Sequence, residues 1–289
     1  MNEILERLKA LNLGIENIFP VKGGDINDTY RIESYQDKYF LKLNTAQNFP
    51  HLFQKEAQGL ETIANTGLFK VPQVIKFGET DNNFQYLILE WMDRGSAHLD
   101  HWQKLGHQLA QFHQISNDKF GWHEDNYIAI ILQPNQMKST WEDFYANNRI
   151  LPMVKLLADK KLITTKDVKS AEVLCKELPS IFPKENPALL HGDLWNGNIL
   201  PTVQGEMALI DPAVYYGHRE MDLAIADLFG GFDESFFNAY EEIYPLEVGF
   251  NERKPVAQLF PLLVHAFLFE GYYVKDVKTI LKKYQYKLQ

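Results

Sequence analysis

The chain has 289 residues, 45% of them hydrophobic, enough to bury one large core or two modest ones. Its 29 basic against 38 acidic side chains give a formal charge of −9, which argues against a broad electrostatic grip on nucleic acid or anionic lipid. The single cysteine, Cys175, excludes an intramolecular disulfide and any multi-cysteine metal site, and within Ala-Glu-Val-Leu-Cys-Lys-Glu-Leu it reads as a small apolar helix residue.

In chain order, the opening Met-Asn-Glu-Ile-Leu-Glu-Arg-Leu-Lys-Ala is amphipathic and charged, without the apolar region of a signal peptide. No later segment reaches the ~18 apolar residues of a membrane span, so a soluble, cytoplasmic protein is expected. Gly23-Gly24-Asp25-Ile26-Asn27-Asp28 reads as a hairpin, with backbone amides approaching phosphates as the functional alternative. Strand-like runs follow at 29–33, 38–44 and 85–92, with one helical stretch over about 50–66.

Near residue 93 the pattern changes, at the turn-rich Asp93-Arg94-Gly95-Ser96, which is the expected hinge. Beyond it, Leu99, Trp102, Leu105, Leu109 and Phe112 mark one helix, 141–158 a second, 166–178 a third and 256–284 one or two more. A mixed-β first part and a mainly helical second part, with short strands around 190–215, predict an α+β architecture of two lobes, 1–92 and 93–289, with the active site between them.

The most specific run is Leu-Leu-His-Gly-Asp-Leu-Trp-Asn-Gly-Asn-Ile-Leu at 189–200. Asp193 is followed five positions on by Asn198, the interval at which a kinase catalytic loop places its proton-accepting aspartate and its magnesium-binding asparagine. Asp211 ends the apolar Met-Ala-Leu-Ile and precedes Pro212, where a carboxylate suits a hard cation; alone it would be a strand-end cap. His191 has no second histidine at ligand spacing and reads as a hydrogen-bonded structural imidazole, as do His113 and His265 on their apolar helices. Asp222 has helix N-terminal capping as its plain role and a contact to the catalytic loop as its sharper one.

Two residues of the first part complete the set. Alternation in Lys-Tyr-Phe-Leu-Lys-Leu-Asn sends Lys42 to one defined face of its strand. Glu56 falls within the apolar stripe of Leu52, Phe53, Leu60 and Ile63, and a carboxylate buried there needs a cationic partner. Lys42 on the neighbouring strand is the natural one, an ion pair that holds a lysine over nucleotide phosphates.

These residues, with Phe120-Gly121-Trp122, Asp125-Asn126-Tyr127-Ile128, Gln133-Pro134-Asn135, His191-Gly192-Asp193-Leu194-Trp195 and Leu228-Phe229-Gly230-Gly231-Phe232, resemble the fructosamine (ketosamine) kinases, relatives of the aminoglycoside phosphotransferases. The resemblance runs from about residue 3 to 284. It implies a bilobal protein-kinase-like fold, with an N-terminal antiparallel sheet and one main helix in a nucleotide-binding lobe and a larger, mainly helical catalytic lobe.

It further implies transfer of the γ-phosphate of ATP, with Mg2+, to the 3-hydroxyl of an Amadori-linked sugar amine, and a role in repairing glycated amines. Asp193 would be the base, Asn198 and Asp211 the metal ligands, and Lys42 and Glu56 the phosphate-holding pair, with Gly23, Gly24 and Asn27 in the glycine loop. Glu90, Trp91 and Met92 would bind adenine, while Trp195 would wall the sugar-amine site and His265 join it. His191 and Asp222 would support the loop. The expected partner is a free or protein-bound ketosamine, with no nucleic acid and no membrane, and the expected state is a monomer.

The chain departs from the family at Ala129, where Gly is common, at Asn196, where Ser is common, and at Val264 and Phe267, where Asn is common, so the preferred sugar stays open. Asp25 stands where some relatives carry a redox-active cysteine. The alternatives are a small-molecule kinase of the aminoglycoside or choline phosphotransferase type, or a nucleotide-binding pseudokinase acting as an interaction module.

Overall fold

The computed structural model describes residues 14–21, 27–35, 37–80 and 83–285. They form two compact units: one takes the described residues up to Ala97 together with Ile199–Pro212, the other His98–Asn198 and the described residues from Ala213.

In the first unit, strands β1 (Ile15–Pro20), β2 (Asp28–Ser34), β3 (Lys38–Thr45), β4 (Val74–Glu79) and β5 (Phe84–Glu90) build an antiparallel sheet in the order β1-β2-β3-β5-β4. Leu41 of β3 packs with Ile18, Ile32, Tyr86 and Ile88 on one face, so alternation turns Lys42 to the other. Lys42 pairs in register with Leu87 of β5 and Thr29 of β2, which places it at the centre of the sheet. Helix α1 (Leu52–Asn65) buries Leu52, Phe53, Ala57, Leu60 and Ile63, the apolar stripe that the spacing predicts. Its N-cap residue, His51, makes no side-chain cap; the Phe53 amide donates instead to Gln85 Oε1 at 3.4 Å, while Gln85 Nε2 donates to the Phe49 carbonyl at 2.7 Å.

The return of Ile199–Pro212 to this unit carries Asp211 into it. Ile199–Pro201 pairs antiparallel with Met207–Leu209, and this hairpin is tied on by Leu209 N donating to Lys70 O at 2.9 Å and Gly95 N to Pro201 O at 2.8 Å. The segment expected to be a hinge is therefore pinned within the first unit, and the chain passes to the second after Ala97.

The second unit is mainly helical around one large apolar core. Helices Leu99–Phe112 and Glu234–Ile243 pack closely because Gly106 has no Cβ; one built there would lie 2.2 Å from the Phe236 carbonyl oxygen. The helical stretch from 141 is α at Trp141–Phe144, π at Tyr145–Ile150 and α again at Leu151–Asp159. The C-terminal periodicity resolves into Phe250–Ala257, Leu259–Phe269 and Gly271–Lys282, with the last two separated at Glu270, whose φ is +56°. Among the described residues no helix is long and apolar enough to cross a membrane.

Strands Asn126–Ile128 and Ile131–Gln133 pair through Ile128 and Ile131, leaving Ala129 and Ile130 as a two-residue loop. Ala129 has φ +55°, the conformation that a type II′ hairpin assigns to glycine at its first central position. Ala129→Gly should therefore stabilise the protein by about 1 kcal/mol, the left-handed strain relieved less the entropy that glycine adds to the unfolded chain. Thermal or chemical denaturation measures this; a less stable variant would contradict it.

Candidate active site

In the first unit Lys42 is 4% exposed and its ammonium meets two carboxylates: Glu56 Oε1 at 2.7 Å and Asp211 Oδ1 at 2.5 Å. Strand β3 supplies the lysine, α1 the first carboxylate and the returning segment the second. Burial alone would lower the lysine's pKa, but Asp211 and Glu56 outweigh it and hold the ammonium well above its usual range. Glu56 has the opposite balance: burial pushes its carboxyl up to about 7 against the pull of Lys42, and Asp211 adds to the rise.

Two backbone features hold this triangle. Asp211 has φ +54°, a left-handed conformation sparsely populated by residues other than glycine. One turn along α1 from Glu56, Gly59 faces Pro212, and a Cβ there would lie 3.1 Å from Pro212 Cγ. A glycine inside a helix costs about 1 kcal/mol relative to alanine, and the close approach of Pro212 is what it permits. Sequence reasoning missed this contact, although a glycine interrupting a helical pattern is its signal.

The other nucleotide-side candidates are scattered. Gly23 and Gly24 lie outside the described residues. Asn27 accepts from Asn44 Nδ2 at 2.5 Å, at the end of the sheet next to the glycine run. The Glu90 carboxylate bonds Lys70 at 3.3 Å, and its amide donates to Gln73 O at 2.8 Å. Trp91 donates through its indole to Asp93 Oδ1 at 2.9 Å, and Met92 is half-buried beside it.

In the second unit Asp193 and Asn198 are bonded to each other. Asn198 Nδ2 donates to Asp193 Oδ2 and to the Asp193 carbonyl, both at 2.9 Å. An amide that donates through nitrogen keeps its oxygen for a cation, and carboxylate and amide oxygens are the donor set of magnesium, so Asn198 and Asp211 each suit that ion.

Asp222 is the residue whose plain reading fails. Helix Glu220–Leu228 has Arg219 at its N-cap with no side-chain cap, and the Asp222 carboxylate turns to the loop. It accepts the His191 amide at 2.7 Å and the Gly192 amide at 3.0 Å. Because the carboxylate only accepts, the His113 contact at 3.3 Å fixes Nε2–H as the donor, and His113 Nδ1 then accepts from Tyr240 OH at 2.9 Å. Burial lowers the His113 pKa despite the pull of Asp222. His191 is fully buried, and its Nδ1 accepts the Asp193 amide at 3.3 Å, the structural role that the sequence predicts.

Trp195 folds over Gly197, where a Cβ would lie 2.2 Å from the indole, and its ring lies 6.0 Å from that of Phe229. Phe229 in turn meets His265 at 4.5 Å between centroids. Phe229 thus joins two residues that the sequence named separately. His265 Nδ1 bonds the Pro261 carbonyl at 2.9 Å, which leaves Nε2 with its lone pair. Burial lowers its pKa. Of the two departures on this helix, Val264 is buried in the core, and Phe267 packs against that core with Lys160 Nζ 4.3 Å from its ring centre. Helix geometry accounts for this, since His265 and its two neighbours cannot share one face.

A family model described as fructosamine kinase covers residues 1–287. The chain is 40% identical over 265 residues to "Probable ketoamine kinase slr1563" of Synechocystis, covering 91% of this chain and 88% of that one. It is 33% identical over 274 residues to "Protein-ribulosamine 3-kinase, chloroplastic" of Arabidopsis thaliana, covering 93% and 83%. A crystal structure from Haemophilus somnus, assigned provisionally as a fructosamine-3-kinase, superposes with a TM-score of 0.86 at 29% identity, over 96% of each chain. The fold class is thereby the kinase-like α+β one.

The raised Glu56 carboxyl has a consequence for stability. A carboxyl whose folded pKa exceeds its ordinary 4.5 contributes stability fully below that value and loses it as pH rises through about 7. Across that window the unfolding free energy of Glu56→Gln should rise relative to the parent. Denaturant titrations below and above the window, without nucleotide or metal, measure the difference; one that does not change with pH contradicts the shift.

Proposed function

Because the chain belongs to the fructosamine kinase family, a family of phosphotransferases, we propose that it moves the γ-phosphate of ATP to the 3-hydroxyl of a ketosamine. The observation that carries this reading is the Asp193 carboxylate, bonded to Asn198 on a loop whose amides Asp222 holds, beside the linked rings of Trp195, Phe229 and His265.

Lys42 holds the nucleotide phosphates, and Glu56 keeps its ammonium charged and aimed. Glu90 to Met92 bind the adenine through backbone groups. Asn198 and Asp211 would each offer an oxygen to magnesium, which would neutralise charge on the transferring phosphates. Asp193 orients the acceptor hydroxyl and takes its proton. Trp195 presents an indole face on which the sugar and the cationic amine of a ketosamine pack, and His265 Nε2 accepts from a sugar hydroxyl. This aromatic set favours a ketosamine over an acceptor lacking an amine next to the sugar carbonyl.

A phosphate on C3 lies β to the amine-bearing C1. Loss of a C1 proton expels inorganic phosphate, and addition of water to the resulting imine frees the amine, so the product suits repair of glycated amines.

A panel of ribulosamines, fructosamines, aminoglycosides, choline and free sugars with ATP tests the acceptor. Turnover confined to ketosamines is expected; preference for any of the others sinks the reading, and turnover on none of them supports the pseudokinase. Asp193→Asn should lower kcat roughly 100- to 10,000-fold, the usual span of general-base catalysis. Calorimetry should show ATP binding to that variant intact, whereas Asp211→Asn should abolish magnesium-dependent nucleotide binding.

A further inference from the structure

The motifs Asp125-Asn126-Tyr127-Ile128 and Gln133-Pro134-Asn135 stand out in the sequence, yet none of the chemistry above uses them. In the second unit they form a buried chain of side-chain amides. One end is Arg149, fully buried in the π-helical turn Tyr145–Ile150. Its guanidinium donates to Asn135 Oδ1 at 2.7 Å and to the Pro134 carbonyl at 2.6 Å, and lies over the rings of Tyr215 at 4.2 Å and Phe144 at 4.6 Å. These partners are neutral oxygens and ring faces. The other end is the backbone of 213–214: Asn126 Nδ2 donates to Val214 O at 2.8 Å, and Gln133 Nε2 to Ala213 O at 3.3 Å.

Direction is the telling feature. An asparagine amide can face either way, whereas a guanidinium only donates. Arg149 therefore obliges Asn135 to present its oxygen. Asn135 Nδ2 then donates to Asn126 Oδ1 at 2.8 Å, joined there by Gln133 Nε2 at 2.8 Å, and Asn126 is left with its nitrogen toward Val214. Two polar atoms, Arg149 Nε and Gln133 Oε1, stay buried without a hydrogen-bond partner among the described residues, so the cluster is less favourable than an apolar core of its size would be.

Segment 213–214 is itself a wall of the catalytic loop. Ala213 N donates to the His191 carbonyl at 2.9 Å, and Tyr215 pairs in register with Leu190. Gly192 has φ +83°, and a Cβ on it would lie 2.1 Å from Ala213 O, so the two backbones are in contact. Asp222 fixes the amides of His191 and Gly192, and Ala213 fixes the carbonyl between them.

We propose that Arg149, Asn135 and Asn126 form a positioning relay, in which the donor-only guanidinium sets the direction of the amides so that Asn126 and Gln133 hold segment 213–214 against the Asp193 loop. The relay touches no substrate. It acts through the backbone of residues 191–193, and its kinetic consequence rests on the kinase reading above.

Asn126→Asp keeps the oxygens that Asn135 and Gln133 need and removes the donor to Val214. Arg149→Met replaces the source of direction by an apolar chain of similar length, and Arg149→Lys restores a donor-only cation. In Asn126→Asp and Arg149→Met, kcat should fall roughly 10- to 100-fold, as expected for a small misplacement of a catalytic group, with KM for ATP and ketosamine changed less than about threefold. Arg149→Lys should recover part of the loss.

Backbone hydrogen exchange of the same proteins should quicken at 188–194 and 213–217 but not in helix Thr165–Ile181. Parent-like kcat together with parent-like exchange in Asn126→Asp would overturn the relay, as would a fall in kcat no larger than the loss of folded protein. Should the parent turn over no ketosamine, the kinase reading fails, and exchange in Asn126→Asp still decides whether the relay holds the loop. Asn126→Asp serves alone if Arg149→Met does not fold.

Discussion

One ammonium organises the first unit. Lys42 Nζ is almost wholly buried, and a charge in that position needs partners; it has two, Glu56 and Asp211, which the chain brings from far apart. The sheet, helix α1 and the returning hairpin are therefore joined at one charged point as well as by apolar packing. The cluster carries two carboxylates for one cation, and Glu56, with a side chain 12% exposed against 43% for Asp211, bears more of the cost of burial. Asp211 is thus the carboxylate left accessible to a hard cation, and its left-handed backbone together with the Gly59–Pro212 contact keeps it in place.

Two buried charges of the second unit are used differently. Asp222 and Arg149 are both buried, and each is spent on backbone and amide groups, Asp222 on two amides of the loop and Arg149 on oxygens of Pro134 and Asn135. A carboxylate only accepts and a guanidinium only donates, so each fixes the sense of every hydrogen bond downstream of it: His113 and Tyr240 from Asp222, Asn135 and Asn126 from Arg149. A reactive carboxylate on a loop needs such fixed surroundings, because loops lack the ladder of bonds that steadies strands and helices.

Much of this was legible in the sequence, for physical reasons. Strand β2 alternates, β3 and β5 are short apolar runs bounded by polar residues, α1 has a three-four spacing, and the paired Asp193 and Asn198 sit between buried apolar runs, so period and motif pointed the same way. The Lys42–Glu56 pair followed from the need to neutralise a carboxylate in an apolar stripe, and it is present. Strand β4, the return of Ile199–Pro212 to the first unit and the π-helical turn were not legible. Val-Ile-Lys-Phe-Gly-Glu alternates poorly, and long-range docking and a widened helical turn leave no mark on local periodicity. For Asp222 local propensity favours capping because it knows only neighbours in sequence, whereas the sharper reading, a contact to the catalytic loop, is the one present, with partners 30 and 31 residues away.

The same distinction sorts the positions where this chain departs from its family. Ala129 concerns a hairpin turn, Val264 lies in the core, and Phe267 packs against that core and Lys160. Val264 and Phe267 present no polar group, and Ala129 differs from glycine only by a methyl group. Asn196 differs: it is exposed, it neighbours Trp195, and its amide rests on Gly231, where a Cβ would lie 2.6 Å from Asn196 Cγ. With φ +88°, Gly231 supplies both the turn and the space, so the second glycine of Leu-Phe-Gly-Gly-Phe and the residue at 196 form one contact. Phe229, two residues before that glycine, closes against Trp195, so the size and polarity at 196 reach the aromatic wall by two routes. Of these positions, Asn196 is therefore the one whose side chain is exposed beside the Trp195–Phe229 ring pair.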